Sequence, residues 1–120
     1  SMRTVDEWKA LLRSAIKEAM RRREGNAVAV LRETLSAIDN AEAVATQEGP
    51  TTAGDGVIAG AVAGLGAGEV QRRALREEEV AAVIARELEE RREAAATYEK
   101  LGRPEEAERL REQVRLLESL

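Results

Sequence analysis

Apolar residues recur in steps of three and four from the start of the chain, at Val5, Trp8, Leu12, Ala15, Ile16, Ala19 and Met20. That spacing places them on one face of a helix. Thr4 stands where it can cap the first turn, Glu7 follows three residues later to complete a capping box, and Gly25 supplies a stop. A second periodic run, Val28, Leu31, Leu35 and Ile38, predicts a helix from about 26 to 46. The short Gly25-Asn26 connection makes the two helices antiparallel neighbours. Further on, Val80, Val83, Ile84, Leu88, Ala95 and Tyr98 mark a third helix over about 76–101, with Glu77, Glu78 and Glu79 where the helix dipole favours acids. Gly102 suits a left-handed cap and Pro104 the first position of a fourth helix, which buries Ala107, Leu110, Val114 and Leu117.

The stretch 47–75 breaks this rhythm. Gly49-Pro50 ends the second helix, and Gly54, Gly56, Gly60, Gly64, Gly66 and Gly68 surround the apolar run Val57–Leu65. Its length exceeds that of an ordinary connection, and it reads as a long flexible insert or as an ordered recognition loop. A phosphate loop is excluded, because no Lys follows the glycines and no strand precedes them. The expected architecture is all-α: two helical hairpins forming a four-helix bundle, joined by a Gly-rich loop. The domain runs over 2–120, and Ser1 before Met2 reads as a tag remnant.

Composition agrees with helices. Ala, Leu, Val, Glu and Arg dominate, while there is no Phe, one Trp and one Tyr. The chain has no Cys and no His, which removes disulfides, thiolate nucleophiles, the commonest general base and the commonest metal ligands. Ser14, Ser36 and Ser119 therefore have no His to activate them, and Lys9, Lys17 and Lys100 show no apolar setting that would lower a pKa. The expectation is a non-catalytic protein without cofactor or metal. No apolar run is long enough to span a membrane and no secretory leader is visible, so the cytoplasm is the expected compartment.

Net charge is −4, which argues against a surface coated in basic residues. The imbalance is local: residues 1–48 carry eight basic and eight acidic side chains, and residues 69–120 hold most of the acidic excess. Lys9, Arg13, Lys17 and Arg21 stand four apart and form a cationic stripe along the first helix. Like charges at that spacing oppose one another by a few tenths of a kcal/mol per pair, so the stripe calls for anionic company. A phosphate backbone or acids on a neighbouring helix would serve, and the net acidity weighs toward the second. Arg22 and Arg23 extend the stripe, Arg32 falls near it, and Arg72 and Arg73 with Arg76 form a second basic cluster. Asn40 and Glu42 either terminate the second helix or read a partner. Arg91 and Arg92 are expected to pair with Glu87 and Glu89, and Arg86 with Glu90. Trp8 and Tyr98 fall on apolar stripes and are expected in the core, leaving no stacking platform.

The stretches Ala19-Met20-Arg21-Arg22, Leu31-Arg32 and Ile38-Asp39-Asn40-Ala41-Glu42, followed by Glu79-Val80, Glu87, Arg91-Arg92, Tyr98-Glu99-Lys100-Leu101-Gly102-Arg103 and Leu116-Leu117-Glu118, resemble the GatB/YqeY family in order and spacing. The resemblance implies a helical module, found alone in YqeY-like proteins and appended to the B subunit of the tRNA-dependent amidotransferase, where it is associated with tRNA recognition. It implies tRNA or an amidotransferase component as partner; the charge pattern offers Lys9, Arg13, Lys17, Arg21, Arg22, Arg32, Arg72 and Arg73 as candidate contacts, and Asn40 and Glu42 match the family's motif. Two departures stand out. The chain stops at Leu120 where the family often continues into a small helical tail, and Leu110 and Gln113 occupy positions where the family tends to have acids. The acidic balance supports a second reading, a protein–protein scaffold without nucleic acid. A third is an accessory to a glutamine-dependent carbon–nitrogen ligase.

Overall fold

The computed structural model describes residues 2–47 and 74–120. Four helices make up the described fold, with no strand among those residues: α1 (Val5–Arg21), α2 (Gly25–Gln47), α3 (Glu77–Lys100) and α4 (Pro104–Glu118). The stretch expected to form the Gly-rich insert lies mostly outside the described residues. Of that stretch, the structure describes Gln47, the last residue of α2, and Ala74 and Leu75 ahead of α3, with Leu75 buried.

Local chemistry sets the helix ends. The Thr4 hydroxyl accepts from the Glu7 backbone N–H at 3.1 Å and the Glu7 carboxylate accepts from the Thr4 N–H at 2.8 Å, the capping box read from the sequence. At the start of α3, Glu79 does half of this work by accepting from the Arg76 N–H at 2.8 Å. Gly102 takes φ +74°, the Arg103 N–H returns to the Tyr98 carbonyl at 2.9 Å, and Pro104 opens α4. The end of α1 departs from expectation. Gly25 is the first residue of α2, and the left-handed residue is Arg23 at φ 57°, with the Glu24 N–H reaching back to the Ala19 carbonyl at 2.9 Å. The turn geometry is the ordinary one that follows a helix, but an arginine occupies the position that glycine takes most easily.

In packing, α1 lies against α2, α3 lies against α4, and α2 also contacts both α3 and α4. Leu12, Leu31, Ile38, Val30, Val80 and Leu117 are the large apolar side chains closed off from water. Because α2 is flanked on more than one side, its buried set is wider than the stripe expected from periodicity. Val30, Thr34 and Ala45 join Leu31 and Ile38, and the Thr34 hydroxyl is satisfied by the Val30 carbonyl at 2.8 Å. Met20, expected on the buried face of α1, is 53% exposed. Trp8 and Tyr98 are partly buried rather than enclosed; the Arg3 guanidinium lies 5.0 Å from the Trp8 ring centre and that of Arg103 5.4 Å from Tyr98.

The core is pinned by a polar cluster that periodicity did not reveal. Arg91 on α3, its side chain 8% exposed, donates to Gln113 on α4 at 3.0 Å and to Glu87 at 3.0 Å, and also pairs with Glu33 on α2. Gln113 donates in turn to Asn26 at 2.7 Å, and Asn26 donates to the Arg109 carbonyl at 2.9 Å. Three helices are thereby held in one register by groups whose hydrogen bonds satisfy one another.

Candidate nucleic-acid interface

Two contacts fix how α1 lies along α2. Near the start of α1, Lys9 pairs with Asp39 at 3.5 Å and with Glu42. Near its end, Met20 meets Arg32, with guanidinium nitrogen and thioether sulfur 3.6 Å apart. The helices therefore run antiparallel, and Arg13 and Lys17 fall between these two points along α1.

The register divides the stripe. The Lys9 side chain is only 16% exposed and that of Glu42 12%, so two candidate contacts neutralise each other inside the fold. Glu42 Oε1 is shut off from water and has the Lys9 ammonium against it. Arg21 and Arg22 both turn to Glu18, at 3.0 and 2.9 Å. These bonds hold the Glu18 carboxyl below the usual glutamate range, the Arg21 bond contributing most, and raise the Arg21 pKa in return. What remains is the middle, together with Arg23 beyond the end of the stripe, exposed and without an ion pair among the described residues. Arg13 and Lys17 are exposed and form no ion pair with any described residue, and Arg32 across the seam has only the weakly accepting Met20 sulfur. Arg13, Lys17 and Arg32 thus form a cationic patch on the α1–α2 face with the exposed Met20 among them.

The other candidates are placed elsewhere. Asn40 is exposed and lines a groove of about 540 Å³ between α2 and α3, floored by Ala41, Val44, Leu75 and Val83. The charges along this groove are already matched, Arg86 with Glu90 at 3.4 Å and Glu87 with Arg91. Arg92 reaches Glu118 on α4 rather than Glu89, because α4 runs alongside it. Arg72 and Arg73 lie outside the described residues, and Arg76 of the same cluster pairs with Glu79 at 3.3 Å and Glu78 at 3.6 Å. No group of acids that could hold a metal ion occurs among the described residues, and no described helix is long and apolar enough to cross a membrane.

A family model described as Yqey-like protein matches residues 56–120, more than half of the chain. The chain belongs to this Yqey-like family. The match contains α3, α4 and the Arg91–Gln113 contact, while Asn26 and Glu33 of the same polar cluster, on α2, lie outside it. The resemblance at residues 19–42, and the cationic patch, lie outside it. Curated proteins and solved structures give no match to this Yqey-like chain.

Proposed function

We propose that this Yqey-like chain is a non-catalytic helical binding module whose α1–α2 face contacts the phosphate backbone of tRNA. The observation that carries the reading is the patch of Arg13, Lys17 and Arg32. Around it, Lys9, Arg21 and Arg22 find carboxylates, whereas these three have none among the described residues. Unmatched exposed cations at helical spacing attract a polyanion through counterion release, a force that persists on a protein of net negative charge when the patch is local. The resemblance to the appended region of the tRNA-dependent amidotransferase B subunit supplies tRNA as the polyanion, and a component of that enzyme as a further partner.

The test is a titration of the chain with unfractionated tRNA at two salt concentrations. Binding that weakens steeply with salt, and that the Arg13→Glu/Lys17→Glu pair reduces tenfold or more, supports the reading. No salt-dependent binding at low ionic strength overturns it. A protein-scaffold reading then takes precedence, for which the α2–α3 groove and the half-exposed Val44 offer the surface.

A further inference from the structure

Arg21 continues the four-residue spacing of Arg13 and Lys17 by one more turn of α1, yet its guanidinium is engaged elsewhere. Its Nε donates to Glu18 Oε2 at 3.0 Å and its Nη2 to Glu18 Oε1 at 2.5 Å, a two-pronged contact. The Arg22 Nε donates to the same Oε1 at 2.9 Å. An α-helix turns about 100° per residue, so Lys17 stands about 40° round α1 from Arg21 on one side and Glu18 about 60° from it on the other. Glu18 therefore draws the Arg21 guanidinium away from Lys17.

Both side chains are open to solvent, Arg21 at 70% and Glu18 at 47%, and a single exposed ion pair in such a setting contributes little. Two features set this one apart. A bidentate arginine–carboxylate contact fixes direction as well as charge, and the second arginine on the same carboxylate makes it a network of three groups. We propose that Glu18 is a positioning residue that withholds Arg21 from the RNA-binding patch, leaving Arg13, Lys17 and Arg32 to set the affinity. The proposal rests on the tRNA reading of the same face. Neutralising Glu18 would supply a further cation one turn beyond Lys17, and counterion release at that cation would add about one phosphate contact.

A double-mutant cycle tests this, with labelled tRNA titrated by fluorescence anisotropy at two salt concentrations. The four proteins are the wild-type chain, Glu18→Gln, Arg21→Gln and the variant carrying both. Arg21→Gln alone should change affinity less than twofold, because the wild-type Arg21 is held by Glu18. Glu18→Gln should tighten binding about fivefold and steepen the salt dependence by about one phosphate contact. Adding Arg21→Gln to Glu18→Gln should then abolish that gain and return the salt slope to the wild-type value. The signature is the coupling: Arg21 matters only where Glu18 is neutral. If the gain came from net charge alone, Arg21→Gln would cost the same in both backgrounds. Equal losses in the two backgrounds, or no tightening in Glu18→Gln, overturn the proposal while leaving the polyanion reading in place. Absence of salt-dependent tRNA binding in all four proteins overturns both.

Discussion

Arg23 and Gly102 occupy equivalent places, the left-handed residue after a helix, and only one of them is glycine. An L-residue in that conformation brings Cβ close to the following carbonyl, at a cost of roughly 1–2 kcal/mol, partly offset for glycine by its greater freedom in the unfolded chain. Arg23→Gly should therefore raise stability by about 0.5–1 kcal/mol. Gly102→Ala should lower it by about 1 kcal/mol, and purely through the backbone, since nothing lies within 4 Å of the added Cβ. Thermal melts of both variants would check the pair, and an unchanged melting temperature in either would contradict the φ values of 57° and 74°. The contrast also explains what the sequence could and could not announce. Gly102 before Pro104 is a legible stop, whereas Gly25 invited the same reading and proved to start the next helix. No residue type flags an arginine held at positive φ by the closing of a turn.

At the level of elements, helix positions were legible because their apolar periods and caps are local, and the observed ends fall within a few residues of expectation. Which side chains α2 would bury was less legible, since its second buried flank depends on neighbours far away in sequence. The polar cluster is the extreme case: Asn26, Glu33, Arg91 and Gln113 come from three helices, and only Arg91–Glu87 has a spacing that sequence reading can use. Arg91→Ala should cost about 2–4 kcal/mol, because Glu87 at 14% exposure and the Gln113 carbonyl lose their partner, while the 60%-exposed Glu33 returns to water with little change. Chemical denaturation would measure this, and a loss below 1 kcal/mol would show the cluster to be incidental. Leu31→Ala, at a fully enclosed apolar position of α2, should likewise cost about 2–4 kcal/mol. Glu18 gives an acid-limb counterpart. Its folded pKa is depressed by Arg21 and then Arg22, so its stabilising effect is present above the usual glutamate pKa and disappears as pH falls through the folded value. Melting temperatures of wild type and Glu18→Gln should differ slightly at pH 7 and converge in acid; a gap that persists in acid would assign Glu18 a role other than ion pairing.

Across the whole molecule, a cationic stripe and an acidic total are reconciled by where the carboxylates stand. The sequence shows Lys9, Arg13, Lys17 and Arg21 as one series, and their spacing alone cannot say which of them a neighbouring helix will answer. That depends on the α1–α2 register, which sets Asp39 and Glu42 against Lys9 and leaves the middle of the stripe facing outward. Charge reversal should therefore separate residues that look alike in sequence. Lys9→Glu puts a third carboxylate beside Asp39 and Glu42, one of whose oxygens is already closed off from water, and should destabilise the fold by about 2–4 kcal/mol. Arg13→Glu with Lys17→Glu breaks no ion pair among the described residues and relieves like-charge repulsion along α1, so the melting temperature should stay the same or rise slightly. The two effects on RNA binding run in the opposite order: the double variant loses salt-dependent binding while folded, whereas Lys9→Glu, measured below its lowered melting temperature, binds nearly as the wild type does. Melting curves and RNA titrations on the same three proteins decide the matter. If Lys9→Glu is as stable as wild type, or if the double variant unfolds, the stripe is not divided as the α1–α2 register requires.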